Sequence, residues 1–192
     1  MQIIEKPLSD VADVLAGVNG LASNGSFSYT VIQPTSFSDC GVISSVIVAK
    51  RDEGIPPEQM LQAGDVLVKR LNPSYVYVVE ETDLPAVASP NLLVVRPKQG
   101  ISSLYIGYLL EQKEIIEQIA HVSGNSSAIK AISVKKLAAI PIPIIPEADQ
   151  VRVGEIWRLT RTRRLLLQSY LEENDKIMTA ITSKILRHGG HK

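Results

Sequence analysis

The chain has 192 residues, 45% of them hydrophobic, and twenty Lys and Arg are balanced by twenty Asp and Glu. That is enough for one good core or two small ones, and a zero net charge excludes any overall electrostatic pull toward nucleic acid, so a DNA face would have to be a local patch. A lone cysteine, Cys40, excludes an internal disulfide, and apolar runs such as 42–49 and 76–79 fall far short of the ~20 residues of a membrane span.

Up to Pro146, short β-rich runs separated by Gly, Pro, Ser and Asn predict strands over 28–32, 41–49, 65–70, 75–80 and 91–97, in a curved or mixed sheet. Between Ser102 and Val122, apolar residues at Leu104, Ile106, Tyr108, Leu109, Ile115, Ile116 and Ile119 recur at helical spacing. They predict one helix, with Ser102 or Ser103 as its cap. The segment GNSSAIKAISVKKLAAIPIPIIP then gives a polar loop at Gly124–Ser127, a short helix from about Ser133, and an extended run. Prolines at alternate positions in that run forbid helix and favour an edge strand or a polyproline-like path.

From Glu147 to Arg187 there is no proline and the only glycine is Gly154, so about 40 residues form one helix roughly 60 Å long at ~1.5 Å per residue. Val153, Trp157, Leu167, Leu171, Met178, Ile181 and Ile185 fall on a three-four spaced stripe that also passes through Thr160, Arg164 and Asn174. Such a stripe wants a partner helix, from a second copy or another protein, and Asn174 within it can select register or orientation. The alternative is a helix folded back on its own domain with Asn174 at the rim. The expected class is α+β: a β-rich part with small helices over 1–146, one long coiled-coil-forming helix over 147–187, and a disordered tail at 188–192. No charged-then-apolar leader opens the sequence, and the expected compartment is the cytoplasm.

Residues 68–77 read VKRLNPSYVY, and Asn72-Pro73-Ser74-Tyr75 lies one residue from the Asn-Pro-Pro-Tyr signature of amino-group DNA methyltransferases. Such an enzyme also needs a Gly-rich turn after a strand to hold S-adenosylmethionine. No Gly-x-Gly follows any expected strand, so the four residues read better as a strand-turn-strand loop with an Asn-Pro turn. No phosphate loop, His-Glu-x-x-His, Cys-x-x-Cys or Gly-x-Ser-x-Gly occurs, and the three histidines are His121, His188 and His191. The expectation is a protein without catalytic residues, metal or cofactor of its own, with Cys40 buried and inert rather than paired with His121.

Three polar loops remain. In Gly17–Ser28, Asn19, Ser23, Asn24 and Ser26 offer adaptable donors and acceptors; in 69–77, Lys69, Arg70, Asn72, Ser74, Tyr75 and Tyr77 combine charge, amide and ring; in 124–130, Asn125, Ser126, Ser127 and Lys130 do the same. Arg and Asn can read guanine and adenine edges with paired hydrogen bonds, while Ser, Lys and backbone N–H groups position phosphates. Eleven Lys and Arg before Glu147 face fourteen Asp and Glu, a formal charge of −3. Arg158, Arg161, Arg163 and Arg164 on the long helix form a basic cluster that suits a phosphate backbone or, equally, a solvated or partner-facing helix surface.

The opening PLSDVADVLAG, the run LQAGDVLVKR, and NLLVVRP followed by a helix and SGNSSAIKAISVKKLAAIPIPIIPEADQ leading into the long helix resemble the specificity subunits of type I restriction-modification enzymes over nearly the whole chain. The family's Glu-Gln pair at the start of the spacer helix stands here as Asp149-Gln150. Such a subunit carries two target-recognition domains and two spacer helices in one chain, whereas this chain has one of each, so it resembles a half-subunit. The resemblance implies recognition of double-stranded DNA by residues 1–146 without catalysis. It also implies a methyltransferase subunit and a restriction subunit as partners, which hold S-adenosylmethionine, ATP and magnesium. A homodimer through Val153, Trp157, Leu167, Leu171, Asn174, Met178, Ile181 and Ile185 would rebuild the two-domain arrangement. The competing reading is an assembly scaffold that uses the long helix and never touches DNA.

Overall fold

A computed structural model describes residues 4–122 and 131–188. The chain enters as β1 (Ile4–Pro7), turns through α1 (Leu8–Val11) and returns as β2 (Ala12–Ala16). It continues through β3 (Phe27–Ile32), β4 (Ile47–Arg51), β5 (Val66–Lys69), β6 (Val76–Val78), β7 (Val87–Ala88) and β8 (Leu92–Pro97). The helices α2 (Ser103–Leu110), α3 (Lys113–Val122) and α4 (Val134–Ala138) follow, then β9 (Pro141–Ile144) and α5 (Glu147–His188).

The centre is a four-stranded antiparallel sheet in the order β2-β8-β5-β6. Its middle strands are buried on both faces, which is why NLLVVRP reads as a continuous apolar run rather than an alternating one. Successive side chains point to opposite faces, so Val66, Val68, Leu93 and Val95 meet Tyr105, Ile106, Leu109 and Leu110 of α2 on one side. Leu67, Leu92 and Val94 meet Ile32, Phe37, Leu61, Tyr77 and Val79 on the other. A second sheet, β4-β3-β7, pairs β3 with β7 in parallel and covers a smaller core of Val18, Val31, Ala49 and Val87.

The proline-rich run is a strand: β9 pairs antiparallel with β1 in a two-stranded ribbon, Pro141 opposite Pro7 and Pro143 opposite Glu5. Prolines at alternate positions take their missing N–H groups from one edge only, which a two-stranded ribbon tolerates. Residues 41–46 are not strand. The 36–44 segment closes on itself instead, with Gln33 N donating to Ser36 Oγ and Ser44 N to Ser36 O, and the strand begins at Ile47.

The helix expected over 102–122 is two helices. Ser102 caps α2, accepting from Tyr105 N at 3.3 Å, but α2 ends at Leu110 and α3 restarts at Lys113. Gln112 closes the first helix by turning its side-chain amide back on Tyr108 O at 2.9 Å. Apolar spacing carries across the break because Leu109 and Ile115 bury against the same core, so periodicity alone could not reveal it. Ser133 caps α4 through Lys136 N.

The helix α5 runs 42 residues, about 63 Å at ~1.5 Å per residue. Its first five turns pack on the body. Gln150 is 2% exposed; its Oε1 accepts Ser102 N–H at 3.0 Å and its Nε2 donates to Ile145 O at 2.9 Å. Gly154 lets α5 cross α2 backbone to backbone: a Cβ there would stand 2.6 Å from Leu104 Cβ. Past Gln168 the stripe is open, and the large apolar residues from Leu166 to Leu186 are 49–78% exposed.

Candidate nucleic-acid interface and helix seam

The first and second polar loops are held together by the turn at Ser89–Asn91. Gly17 presses onto this turn, its N–H donating to Leu92 O at 3.1 Å while Val18 N donates to Ala88 O at 2.8 Å. On the other side Arg70 N donates to Asn91 O at 3.0 Å, and the Arg70 side chain donates to Pro90 O at 3.2 Å and Ile132 O at 3.3 Å. Leu71 forms an antiparallel bridge with Ala131. The residue that follows the third loop is thus joined to the second. Asn125, Ser126, Ser127 and Lys130 themselves lie outside the described residues.

On this edge Asn19, Ser23, Asn24 and Ser26 are exposed, as are Asn72 and Ser74. Ser23, Gln33, Ile47, Ser89 and Asn91 line an open groove of about 440 Å³. Asn72 has φ of +48°, the left-handed region that Asn tolerates better than most residues. The turn thereby presents Asn72 and Ser74 outward while Pro73 is half-buried.

The aromatic part of the second loop turns inward. Lys69 Nζ donates to Tyr75 Oη at 2.7 Å and sits 3.9 Å from that ring's centroid, with the Phe37 ring 5.1 Å away. Tyr77, expected among the exposed contacts, is instead 5% exposed and donates to Asp83 Oδ2 at 2.6 Å. Burial first and the Asp83 carboxylate second push its phenol well above the ordinary range. Lys69 and Tyr75 shape the loop from beneath, and Arg70 is a tether as much as a surface cation.

Beneath the loop lies an ionic cluster. Glu111, at the end of α2, accepts Val76 N–H with Oε1 at 3.0 Å and the Trp157 indole N–H with Oε2 at 2.9 Å. Arg161 pairs with Glu111 at 3.3 Å, donates from Nη2 to Val76 O at 2.9 Å, and lies 4.5 Å from the Trp157 ring centroid. Gly41, at φ of +72°, leaves room for that guanidinium, since a Cβ would stand 2.7 Å from Arg161 Cζ. Burial pulls the Arg161 pKa down while Glu111 opposes the shift. Two turns further along α5, Cys40 Sγ donates to Gln168 Oε1 at 2.9 Å, and burial, aided by Asp39, raises the thiol pKa. Cys40 is buried.

The basic cluster on α5 is therefore divided. Arg161, expected with its neighbours on a solvated or phosphate-facing surface, is 6% exposed and used internally. Arg158 pairs with Glu155 at 2.7 Å, Arg164 reaches Asp39 at 3.8 Å, and Arg163 is exposed. The seam divides in the same way. Val153 and Trp157 pack against the chain's own core. Leu167, Leu171, Met178, Ile181 and Ile185 stand open at 54%, 62%, 60%, 49% and 64% exposure, and Asn174 sits half-exposed among them. Sequence reasoning gave Glu111 no role and named Gln150 only within the Asp149-Gln150 pair. One signal was present: Trp157 and Arg161 are four residues apart on one helical face, so a face that buries the indole also buries the guanidinium.

Among the described residues no three His, Cys, Asp or Glu side chains are placed to hold a metal ion, and no helix is long and apolar enough to cross a membrane. No protein-family profile and no curated protein matches the chain by sequence. Solved structures do match. The chain is 16% identical, with a TM-score of 0.62 over 94% of its length, to the HsdS subunit from Thermoanaerobacter tengcongensis. It is 16% identical, at 0.69 over 99%, to a chain from a structural study of assembly and conformational transition in the type I R-M system. It is 15% identical, at 0.60 over 96%, to the type I restriction-modification system S subunit from M. genitalium. The match takes up 49%, 51% and 46% of those chains, so this chain spans about half their length. What the likeness establishes is the fold: a β-rich domain with small helices that runs into one long helix.

Proposed function

We propose that this chain is a half-length specificity subunit of a type I restriction-modification system. In this reading it recognises a DNA sequence and directs a methyltransferase subunit and a restriction subunit to it, without catalysis of its own. The observation that carries the reading is that 94–99% of this chain superimposes on about half of two solved S subunits and of a chain from a type I R-M system, ending on a helix whose apolar stripe stands exposed. Residues 1–146 carry recognition through Asn19, Ser23, Asn24, Ser26, Arg70, Asn72 and Ser74, joined by Asn125, Ser126, Ser127 and Lys130 of the third loop. S-adenosylmethionine, ATP and magnesium belong to the partner subunits, and the assembly works in the cytoplasm beside the chromosome.

A second copy, paired antiparallel through Leu167, Leu171, Asn174, Met178, Ile181 and Ile185, supplies the second recognition domain. Two identical halves read two identical half-sites in opposite orientation, so the target is a split palindrome. The test is co-purification with a candidate methyltransferase followed by mapping of methylated positions on genomic DNA. A bipartite palindrome is the expected result. A non-palindromic site would replace the second copy with a different half, and a complex that shows no salt-dependent affinity for duplex DNA would overturn the reading.

A further inference from the structure

We infer that Arg161 and Glu111 are positioning residues for the second recognition loop, so that the placement of residues 70–77 depends on how α5 is seated on the body. The inference rests on the reading of that loop as a DNA contact, and it names what holds the loop in place.

Strand β6 is the edge of the central sheet, hydrogen-bonded only to β5. In an antiparallel ladder each residue directs both its N–H and its C=O to the same side, and at Val76 both groups point away from β5. An edge strand with unpaired polar groups is a poorly fixed element. Here the pair is satisfied by an ion pair drawn from two helices, Val76 N–H by Glu111 and Val76 C=O by Arg161. Val76 directly follows Tyr75, and three residues separate it from Asn72. The clasp therefore grips the strand at the point where the exposed turn ends.

A second route reaches the same loop. The 38–42 segment is held to α5 by Gly41 beneath the Arg161 guanidinium, by Cys40 on Gln168 and by Asp39 near Arg164. Phe37, at the root of that segment, meets the Tyr75 ring edge-on at 6.1 Å and the Tyr77 ring at 5.6 Å. Both routes begin on the α5 face that carries Trp157, Arg161, Arg164 and Gln168. A change in the seating of α5 cannot leave Val76 and Phe37 where they are. The indole of Trp157, the chain's single tryptophan, lies inside the clasp and reports on it.

The test uses the full free chain, with no DNA present, and follows amide hydrogen exchange by segment together with Trp157 emission. With Arg161→Lys, exchange over 70–77 should rise about tenfold or more, as expected for loss of a charge-assisted hydrogen bond. Trp157 emission should move to longer wavelength, and exchange over 92–97 in the central strand should stay unchanged. Glu111→Gln, which keeps the shape but removes the charge and turns one of the two accepting oxygens into an amide donor facing either Val76 N–H or the Trp157 indole N–H, should give the same pattern. It serves if the lysine variant does not fold. Exchange over 70–77 that does not change, or that rises only in step with 92–97, overturns the inference. A chain with no affinity for DNA would overturn the reading of the loop as a contact and leave this result standing.

Discussion

Leu167→Glu combined with Leu171→Glu separates the two uses of α5. In the single chain these side chains are already 54% and 62% exposed, so the substitutions should change its own stability by no more than ~0.5 kcal/mol. In a paired helix the remaining exposure is what would be buried. Taking ~2 kcal/mol for a leucine carried fully from water to the interior, each contributes about 1 kcal/mol, and four leucines across two copies contribute about 4. At ~1.4 kcal/mol per factor of ten, that alone weakens the dimer roughly a thousandfold, before the desolvation and mutual repulsion of four carboxylates are added. Light scattering on the eluting protein should show twice the 20.9 kDa chain mass for the parent and the single mass for the variant, with unchanged thermal unfolding of the variant by circular dichroism extrapolated to low concentration. A variant that keeps the doubled mass refutes the assignment of the seam. Trp157→Ala, on the same stripe, should do the reverse. It removes a packed indole and its bond to Glu111, at a cost of about 3 kcal/mol to folding, and leaves the pairing surface intact.

Asp65 is 1% exposed and takes Arg96 Nε at 2.8 Å, Arg96 Nη2 at 2.7 Å and Gln62 N at 2.9 Å. Asp65→Ala strands a half-buried guanidinium and should lower stability by about 3–5 kcal/mol, read as a shift in urea midpoint at constant slope; a shift below 1 kcal/mol would remove the pair from the frame of the fold. Asn72 holds φ of +48°, so Asn72→Gly should leave stability within ~0.5 kcal/mol and Asn72→Ala should cost about 1, while both should relax target choice in methylation mapping. Unchanged choice in both would exclude Asn72 as a contact. Cys40 and Tyr77 have pKa values raised by burial from ordinary values of 9.0 and 10.0. The folded chain keeps protons that the unfolded chain releases, so stability should hold level below pH 9 and fall above it, by up to ~1.4 kcal/mol per pH unit for each group. Tyr77→Phe should remove its share of the slope that begins near pH 10, leaving that of Tyr105, whose phenol burial also pushes up, and a stability that rises with pH would contradict the burial of these groups.

Much of the architecture was legible because it rests on local rules. Alternate prolines fixed β9 as an extended edge, a proline-free run fixed α5, and Ser102 and Ser133 marked helix starts that the structure keeps. The long-range pairings were not. Strand β1 (IEKP) carries no alternation and exists only because β9 needs a partner across more than 130 residues. The Ser89–Asn91 turn, which gathers two loops onto one edge, is invisible until β8 pairs with β2 and β5. The candidate contacts divided by burial for the same reason: Asn72 and Tyr77 look equally surface-prone in VKRLNPSYVY. Only the pairing of Leu67 with Tyr77 puts the tyrosine on the Phe37 side of the sheet.

The spacing on α5 fits either a seam for a partner helix or a helix folded back on its own domain, and in the structure the first half of the stripe answers to directed chemistry with the body. From Gln150 to Gln168 the face toward the body carries Gln, Gly, Trp, Arg and Gln, each tied by a directed hydrogen bond or a close backbone approach. Such contacts need partners already placed to within a few tenths of an ångström, which a single folding chain provides. From Leu167 to Ile185 the same spacing carries Leu, Leu, Asn, Met, Ile and Ile. Non-directional apolar contact suits an association formed after folding, because it tolerates small errors in approach. It also tolerates errors of register, and in the proposed pair Asn174 would act against those: an amide buried there and facing anything but a hydrogen-bonding partner would cost ~1–3 kcal/mol. In the proposed dimer, a helix seated first by directed bonds and paired afterwards by apolar contact would carry the angle fixed at the body to its partner without a joint between them.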